Sequence, residues 1–212
     1  RMSFVRFTHG DDSTRPGYLF SEGILDLSSE IGSSEPSLSD CFDATTALLA
    51  SAEPPIFERA TVDLEVPVEP SKVVRLDGSY EHDTTDEGFN PHIESEDLNN
   101  MEEPSLWVAP NSTLTADKNS VSVPFQMTDI RPGVELGIVV DSPASALRPA
   151  AASGVIGGFT VCMDLAAHDD IPGLEGYRMF DTSLPCGPSV VERDSVKPMR
   201  CALGIRHNGK PI

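Results

Sequence analysis

Two carboxylates stand where carboxylates are costly. Glu135 opens the apolar run 136–140, and Asp164 closes the apolar run 159–163. An acid at the end of a buried strand has to be paired, hydrogen-bonded or bound to a metal to offset its desolvation. Hard carboxylate oxygens suit Mg2+, Mn2+ or Ca2+, so metal-assisted chemistry is one reading. The other is two acids capping strands at the surface, and spacing alone favours it. The simple signatures of other chemistries are missing: the chain has no GxSxG, GxGxxG, P-loop or HExxH. Four cysteines, at 41, 162, 186 and 201, show neither CxxC nor finger spacing and read as reduced thiols.

The charge of the chain narrows its partners. Of 212 residues, 34 are Asp or Glu against 15 Lys or Arg, a formal net charge of −19. That balance excludes DNA, RNA and anionic membranes, whose phosphates need clustered bases. No run reaches the roughly 18 apolar residues of a membrane span; the longest candidate, 150–163, is broken by Ser153, Gly154, Gly157 and Gly158. Residues 1–10 lack the apolar core of a secretion signal, which makes a cytoplasmic location the expectation. Lys occurs 4 times and Arg 11 times, and such an acidic excess repels itself until salt shortens the Debye length to about 3 Å near 1 M. A halophilic protein of a salt-rich cytoplasm fits; so does an ordinary acidic protein carrying an acidic insert. No Lys or Arg lies between Arg75 and Lys118, and ten acids fall between Asp77 and Glu103.

Strands must position the two carboxylates. Strand patterns cover 3–7, the segment 17–27 around a Ser21-Glu22-Gly23 turn, the alternating 62–68, and 72–76. Asp40 is placed to cap a helix carrying Phe42, Leu48 and Leu49 that ends before Pro54-Pro55. Residues 77–104 are polar and acidic and read as a long loop or insert. Further strand-length apolar runs are 121–125, 134–140, 155–163 and 200–205, with 143–152 helix-like. Asn208-Gly209 marks a hairpin turn. The fold class expected is α+β and strand-dominated: a small N-terminal β-rich segment over 1–68, then a domain over 69–212 that holds the acidic insert 77–104.

Three segments carry a resemblance. Gly133-Val134-Glu135-Leu136-Gly137-Ile138-Val139-Val140 resembles a strand bearing a Glu-x-Glu metal pair. Gly158-Phe159-Thr160-Val161-Cys162-Met163-Asp164-Leu165-Ala166-Ala167-His168-Asp169 is similar to "GYTVCNDVSARD", and 178–188, Arg-Met-Phe-Asp-Thr-Ser-Leu-Pro-Cys-Gly-Pro, to "KSFDTFCPLGP". These are segments of the fumarylacetoacetate hydrolase superfamily. The resemblance implies a mixed β-roll, usually dimeric, that binds small keto acids through Mg2+ or Mn2+ and hydrolyses, isomerises or decarboxylates them. It assigns Glu135 and Asp164 to the metal, Arg178 to catalysis and to the substrate carboxylate, Tyr80 and Thr182 to substrate, and His82 to water activation.

The match has gaps. Gly133 stands at the first Glu position, leaving two of three anionic ligands, with Asp129 a nearby acid that could substitute. Arg178 replaces a Lys, and the two differ in reach and geometry. His82 falls one residue early, Ala109 stands where a Lys is frequent, and the C-terminal part of the family domain is expected to be missing after Ile212. Two functions therefore stay open: a metal-dependent enzyme acting on an acylpyruvate-type keto acid, and a non-catalytic paralogue keeping the fold for dimerisation or ligand binding. An unrelated acidic binding protein is the third reading. The charge itself makes a prediction: raising KCl from about 0.1 M to about 2 M, where screening is nearly complete, raises the melting temperature. A flat or falling melting temperature in that titration contradicts the salt-adapted reading.

Overall fold

The structure, a computed structural model, describes residues 3–10, 13–21, 23–31, 36–51, 53–77, 105–168 and 177–211. Most of the acidic insert, with Tyr80 and His82, lies outside the described residues. The chain begins with three antiparallel strands, β1 (Ser3–Thr8), β2 (Arg15–Phe20) and β3 (Gly23–Asp26). β3 carries Ile56–Phe57 (β4) on its outer edge, and Asp63–Leu64 (β5) pairs with the end of β1. The other half of this sheet comes from late in the chain: β9 (Ile130–Val140), β10 (Ile156–Ala167) and β11 (Leu184–Glu192). β11 joins β1, giving a nine-stranded sheet in the order β4-β3-β2-β1-β11-β10-β9 with β5 and a short β8 (Leu114–Thr115) beside that path. A separate antiparallel pair is formed by β6 (Val73–Asp77) and β7 (Ser105–Ala109). β12 (Arg206–His207) and β13 (Lys210–Pro211) form the terminal hairpin, with positive φ at Asn208 and Gly209 as the Asn-Gly signal requires. The strand-dominated α+β architecture is the one the sequence implies.

One helix of more than one turn is described, α1 (Leu38–Leu49). Its N-cap is Ser37, not Asp40: Ser37 Oγ accepts from the Asp40 N–H while the Asp40 carboxylate accepts from the Ser37 N–H, both at 3.1 Å. This reciprocal box satisfies two end groups at once, which Asp40 capping alone does not. The buried stripe is Leu38, Cys41, Ala44, Thr45 and Leu48, spaced three and four apart, so Leu49 is left exposed. The stripe packs on Phe4, Leu25, Leu27 and Val190, while Val5, Phe7 and Ile24 pack on the opposite face against Val62 and Leu64. The alternation along β1 thus feeds two cores.

Several sequence expectations need correction. Residues 121–125 form no strand: Phe125 is 89% exposed and Pro124 removes a donor from the run. In 62–68 only 63–64 pair, and 200–205 is irregular. Helix in 143–152 is confined to α2 (Pro149–Ala152). Strand β11 went unseen because Pro185, Gly187 and Pro188 read as loop, yet it is the strand that joins the two halves of the sheet. Among the described residues no helix is long and apolar enough to cross a membrane. Leu25 is fully buried between sheet and helix, so Leu25→Ala lowers stability by about 2–5 kcal/mol. Ser37→Ala lowers it by about 1 kcal/mol through the lost cap. Urea unfolding measures both, and a Leu25→Ala loss no larger than that of Ser37→Ala contradicts this packing.

Candidate functional site: two carboxylates around an arginine

Strands β9 and β10 pair over eleven residues, setting Glu135 opposite Cys162 and Gly133 opposite Asp164. Side chains of 133, 135, 162 and 164 therefore share one face of the sheet, and Glu135 and Asp164 are diagonal neighbours on it. Gly137 lets the strands close up there, since a Cβ would lie 2.6 Å from Thr160 Cγ2 and 3.0 Å from Cys162 Sγ. Gly133 is different: a Cβ there would sit 3.7 Å from the Asp164 Cβ, an ordinary contact. The position has room for a side chain and simply lacks one.

The hairpin β6–β7 supplies the rest. Val74 and Leu76 point to solvent, as do their cross-strand partners Val108 and Leu106, which turns Arg75 and its partner Trp107 to the other face. Arg75 is buried, its side chain only 2% exposed. Its Nη2 lies 2.8 Å from Glu135 Oε1 and 2.7 Å from Asp164 Oδ1. The approach to Glu135 is a hydrogen bond; that to Asp164 is an ionic contact off the N–H direction, and Oδ1 has no donor among the described residues. Arg75 Nε and Nη1 have no acceptor among the described residues. On the outer side Arg178 Nη1 comes within 3.3 Å of Asp164 Oδ2. The guanidinium carbons of Arg75 and Arg178 lie 5.6 and 5.7 Å from the Trp107 ring centroid, within cation–π range.

Exposure separates the four charges into two layers. Arg75 and Asp164 lie beneath, at 2% and 8% exposed; Glu135 and Arg178 reach outward, at 31% and 24%. Burial pushes the Glu135 carboxyl above the usual range, and the Asp164 charge adds to this, although Arg75 and then Arg178 oppose it. Burial works against the Arg75 charge, but Asp164 and Glu135 outweigh it and the guanidinium stays ionised. Removing one partner from such a group leaves an uncompensated buried charge, at a cost of about 3–5 kcal/mol.

The remaining expected residues fall around this cluster. The Thr182 hydroxyl accepts from the Ser122 N–H at 2.8 Å, and its own N–H donates to the Ser112 carbonyl at 2.9 Å, so it ties two loops together. Ser183 Oγ donates to the Arg178 carbonyl at 2.8 Å and anchors that arginine's backbone. Asp129 pairs with Arg131 Nη2 at 2.7 Å. Ala109 is buried. Cys162 and Cys186 pair across β10 and β11 with Sγ atoms 3.1 Å apart. Their shared hydrogen bond, with burial, pushes the Cys162 thiol well up, as befits a core side chain and not a nucleophile. Sequence reasoning missed Arg75 and Trp107. The available signal was an arginine at an alternate position between Val74 and Leu76, the last base before the acidic stretch.

Whether these residues suit a divalent cation follows from the geometry. Among the described residues no three His, Cys, Asp or Glu side chains group closely enough to hold one. Both carboxylates already contact one guanidinium. A +2 ion about 4 Å from that guanidinium meets repulsion of about 8 kcal/mol at an effective dielectric near 20. With Arg75 in place the donor set does not fit a divalent metal.

Comparisons with known proteins agree with the fold. The family model described as fumarylacetoacetate (FAA) hydrolase C-terminal matches residues 72–212. An uncharacterized protein of Pyrococcus horikoshii is 28% identical over 150 residues, covering 68% of this chain and 61% of that protein. The human mitochondrial oxaloacetate tautomerase is 27% identical over 169 residues, covering 76% of this chain and 51% of that one. The chain thus spans between half and two thirds of these relatives' lengths. A fumarylacetoacetate hydrolase of Exiguobacterium antarcticum superposes with a TM-score of 0.72 at 17% identity, over 100% of this chain and 74% of that one. A maleylpyruvate hydrolase of Sphingobium sp. SYK-6, crystallised with manganese(II) and pyruvate, superposes with a TM-score of 0.65 at 18% identity, over 92% of this chain and 69% of that one. With two thirds of its length, residues 72–212, matched by the family model, the chain belongs to the fumarylacetoacetate hydrolase family.

Proposed function

We propose that the cluster binds a small 2-oxo acid and moves a proton between its keto and enol forms. The observation that carries this reading is the layering: an outward carboxylate and an outward guanidinium, Glu135 and Arg178, over the buried charge of Arg75. Arg178 binds the ligand carboxylate, for which a guanidinium fork is well shaped. Glu135 takes the proton from the carbon next to the keto group, the C–H electrons become the new C=C bond, the C=O pair moves onto oxygen, and that oxygen takes the proton back from Glu135, which regenerates the carboxylate. The same carboxyl returns a proton in the reverse step. Its raised pKa brings the base closer to working pH, which general acid–base catalysis favours. Arg75 supplies a fixed positive charge beneath the developing enolate. The likeness to oxaloacetate tautomerase supports isomerisation among the family's reactions. Tyr80 and Thr182 as ligand contacts, and His82 as a further proton-transfer group, belong to the same proposal on motif resemblance alone. The Mg2+ or Mn2+ dependence implied by the family is the competing form of this reading.

A second reading, binding without turnover, is favoured by Gly133, where a potential ligand position carries no side chain. Decay of enol-oxaloacetate absorbance above the buffer rate, measured beside saturable pyruvate binding by NMR, separates the two. The enzyme reading expects acceleration that Glu135→Gln lowers by about 10²–10⁴-fold with binding retained. Arg178→Met loses binding. Because the ionised form is the base, the rate rises with pH through the elevated Glu135 pKa and is lost below it. Binding without acceleration establishes the second reading, and no binding at all sinks both.

We also infer self-association into a homodimer through the outer face of β6–β7. Val74, Leu76, Leu106 and Val108 are directly paired there and exposed, and a contiguous apolar patch of this kind marks an association surface. Light scattering after gel filtration in molar KCl is expected to show a dimer that Leu106→Asp dissociates. A monomeric wild type contradicts it.

A further inference from the structure

We infer that Arg75 is the resident cation of this site, a guanidinium tethered to the chain in the place a divalent metal would occupy. Three observations converge on it. The Arg75 side chain is 2% exposed and its Nη2 is within 2.8 Å of both carboxylates, so it sits between Glu135 and Asp164 and not beside them. It lies over the ring of its strand partner Trp107, and the register of β6, with Val74 and Leu76 turned to solvent, puts Arg75 on the inner face. Position 133, directly opposite Asp164, has space for a side chain and carries none.

Charge counting explains why a buried Arg75 and an empty position 133 go together. With the outer cation at 178 counted alike in both cases, two carboxylates and one buried guanidinium leave a single residual negative charge. Three carboxylates around a divalent cation leave the same. A carboxylate at 133 together with Arg75 would exceed that balance, and a metal together with Arg75 would fall short of it. Gly133 and Arg75 are thus one device. A guanidinium spreads its charge over a plane and offers no open coordination position, so the cluster works by electrostatics and hydrogen bonding and not by chelation. The two Arg75 donors without acceptors among the described residues, Nε and Nη1, are the polar capacity this leaves inside the site. The inference deepens the oxo-acid reading, yet it concerns the cation place alone and can be tested without substrate.

The test is a Mn2+ titration of the full chain in molar KCl, which suppresses loose binding to surface acids, read by loss of the free-ion EPR signal. Wild-type protein is expected to show no saturable site. Arg75→Met, which keeps the stem and removes the charge, gains one site at least about tenfold tighter than any wild-type binding, since a like charge no longer opposes the ion. Arg75→Met/Gly133→Glu binds more tightly again, and Arg75→Met/Glu135→Gln loses the site. Thermal melts cover the case in which Arg75→Met is unstable: Mn2+ then raises its melting temperature and leaves that of the wild type and of Arg75→Lys unchanged, because a ligand stabilises only the state that binds it. One saturable Mn2+ site in the wild type, abolished by Glu135→Gln, overturns the inference. So does an Arg75→Met protein that neither binds Mn2+ nor is stabilised by it.

Discussion

The ion pairs that Arg75 makes with Glu135 and Asp164, at 2.8 and 2.7 Å, are what allow two carboxylates to stand on one face of a packed sheet. Without a cation between them, diagonal carboxylates on adjacent strands repel each other in a poorly solvated setting, and both are costly to bury. The guanidinium also joins parts that the sequence keeps far apart. It comes from β6, reaches the β9–β10 ladder, and shares the Trp107 ring with Arg178 from the loop before β11. Such a network adds little net stability over an apolar core of the same shape, but its geometry is demanding. Its contribution is to fix where each charge stands.

That placement has a functional consequence. The buried layer, Arg75 with Asp164, is sealed and electrostatic; the outer layer, Glu135 with Arg178, meets solvent. A ligand reaching the site meets one base and one anion-binding fork above a fixed positive field. Such an arrangement suits moving a proton on a bound anion. It does not suit polarising a bond by direct coordination, which needs an ion with open positions. The sheet that carries the two carboxylates is assembled from both ends of the chain, joined where β1 pairs with β11, and the β6–β7 pair brings Arg75 to it.

Much of the fold was legible in the chain. The apolar runs ending at Val140 and beginning near Val155 became β9 and β10, and the cost of burying Glu135 and Asp164 was visible from their positions alone. Period-2 patterning shows strands because the pleat alternates faces. It does not show which strands pair, so the adjacency of β1 and β11 was out of reach, and β11 itself was hidden by Pro185 and Pro188. The run 121–125 misled for the opposite reason: it is apolar and of strand length but pairs with no strand among the described residues. At the site, motif resemblance named the two carboxylates and Arg178. It could not name Arg75, because the cation there is set by a residue whose importance lies in a contact 60 positions away. The absence at Gly133 read as a deficit in isolation, and becomes half of a substitution once Arg75 is seen opposite.

The central claim is that an arginine holds the cation place. Its most direct test is a crystal grown with Mn2+ and measured at the manganese absorption edge. The account predicts guanidinium density between Glu135 and Asp164 and no anomalous peak there. A strong anomalous peak at coordination distance from both carboxylates, roughly 2.0–2.2 Å, with Arg75 swung away, would contradict it.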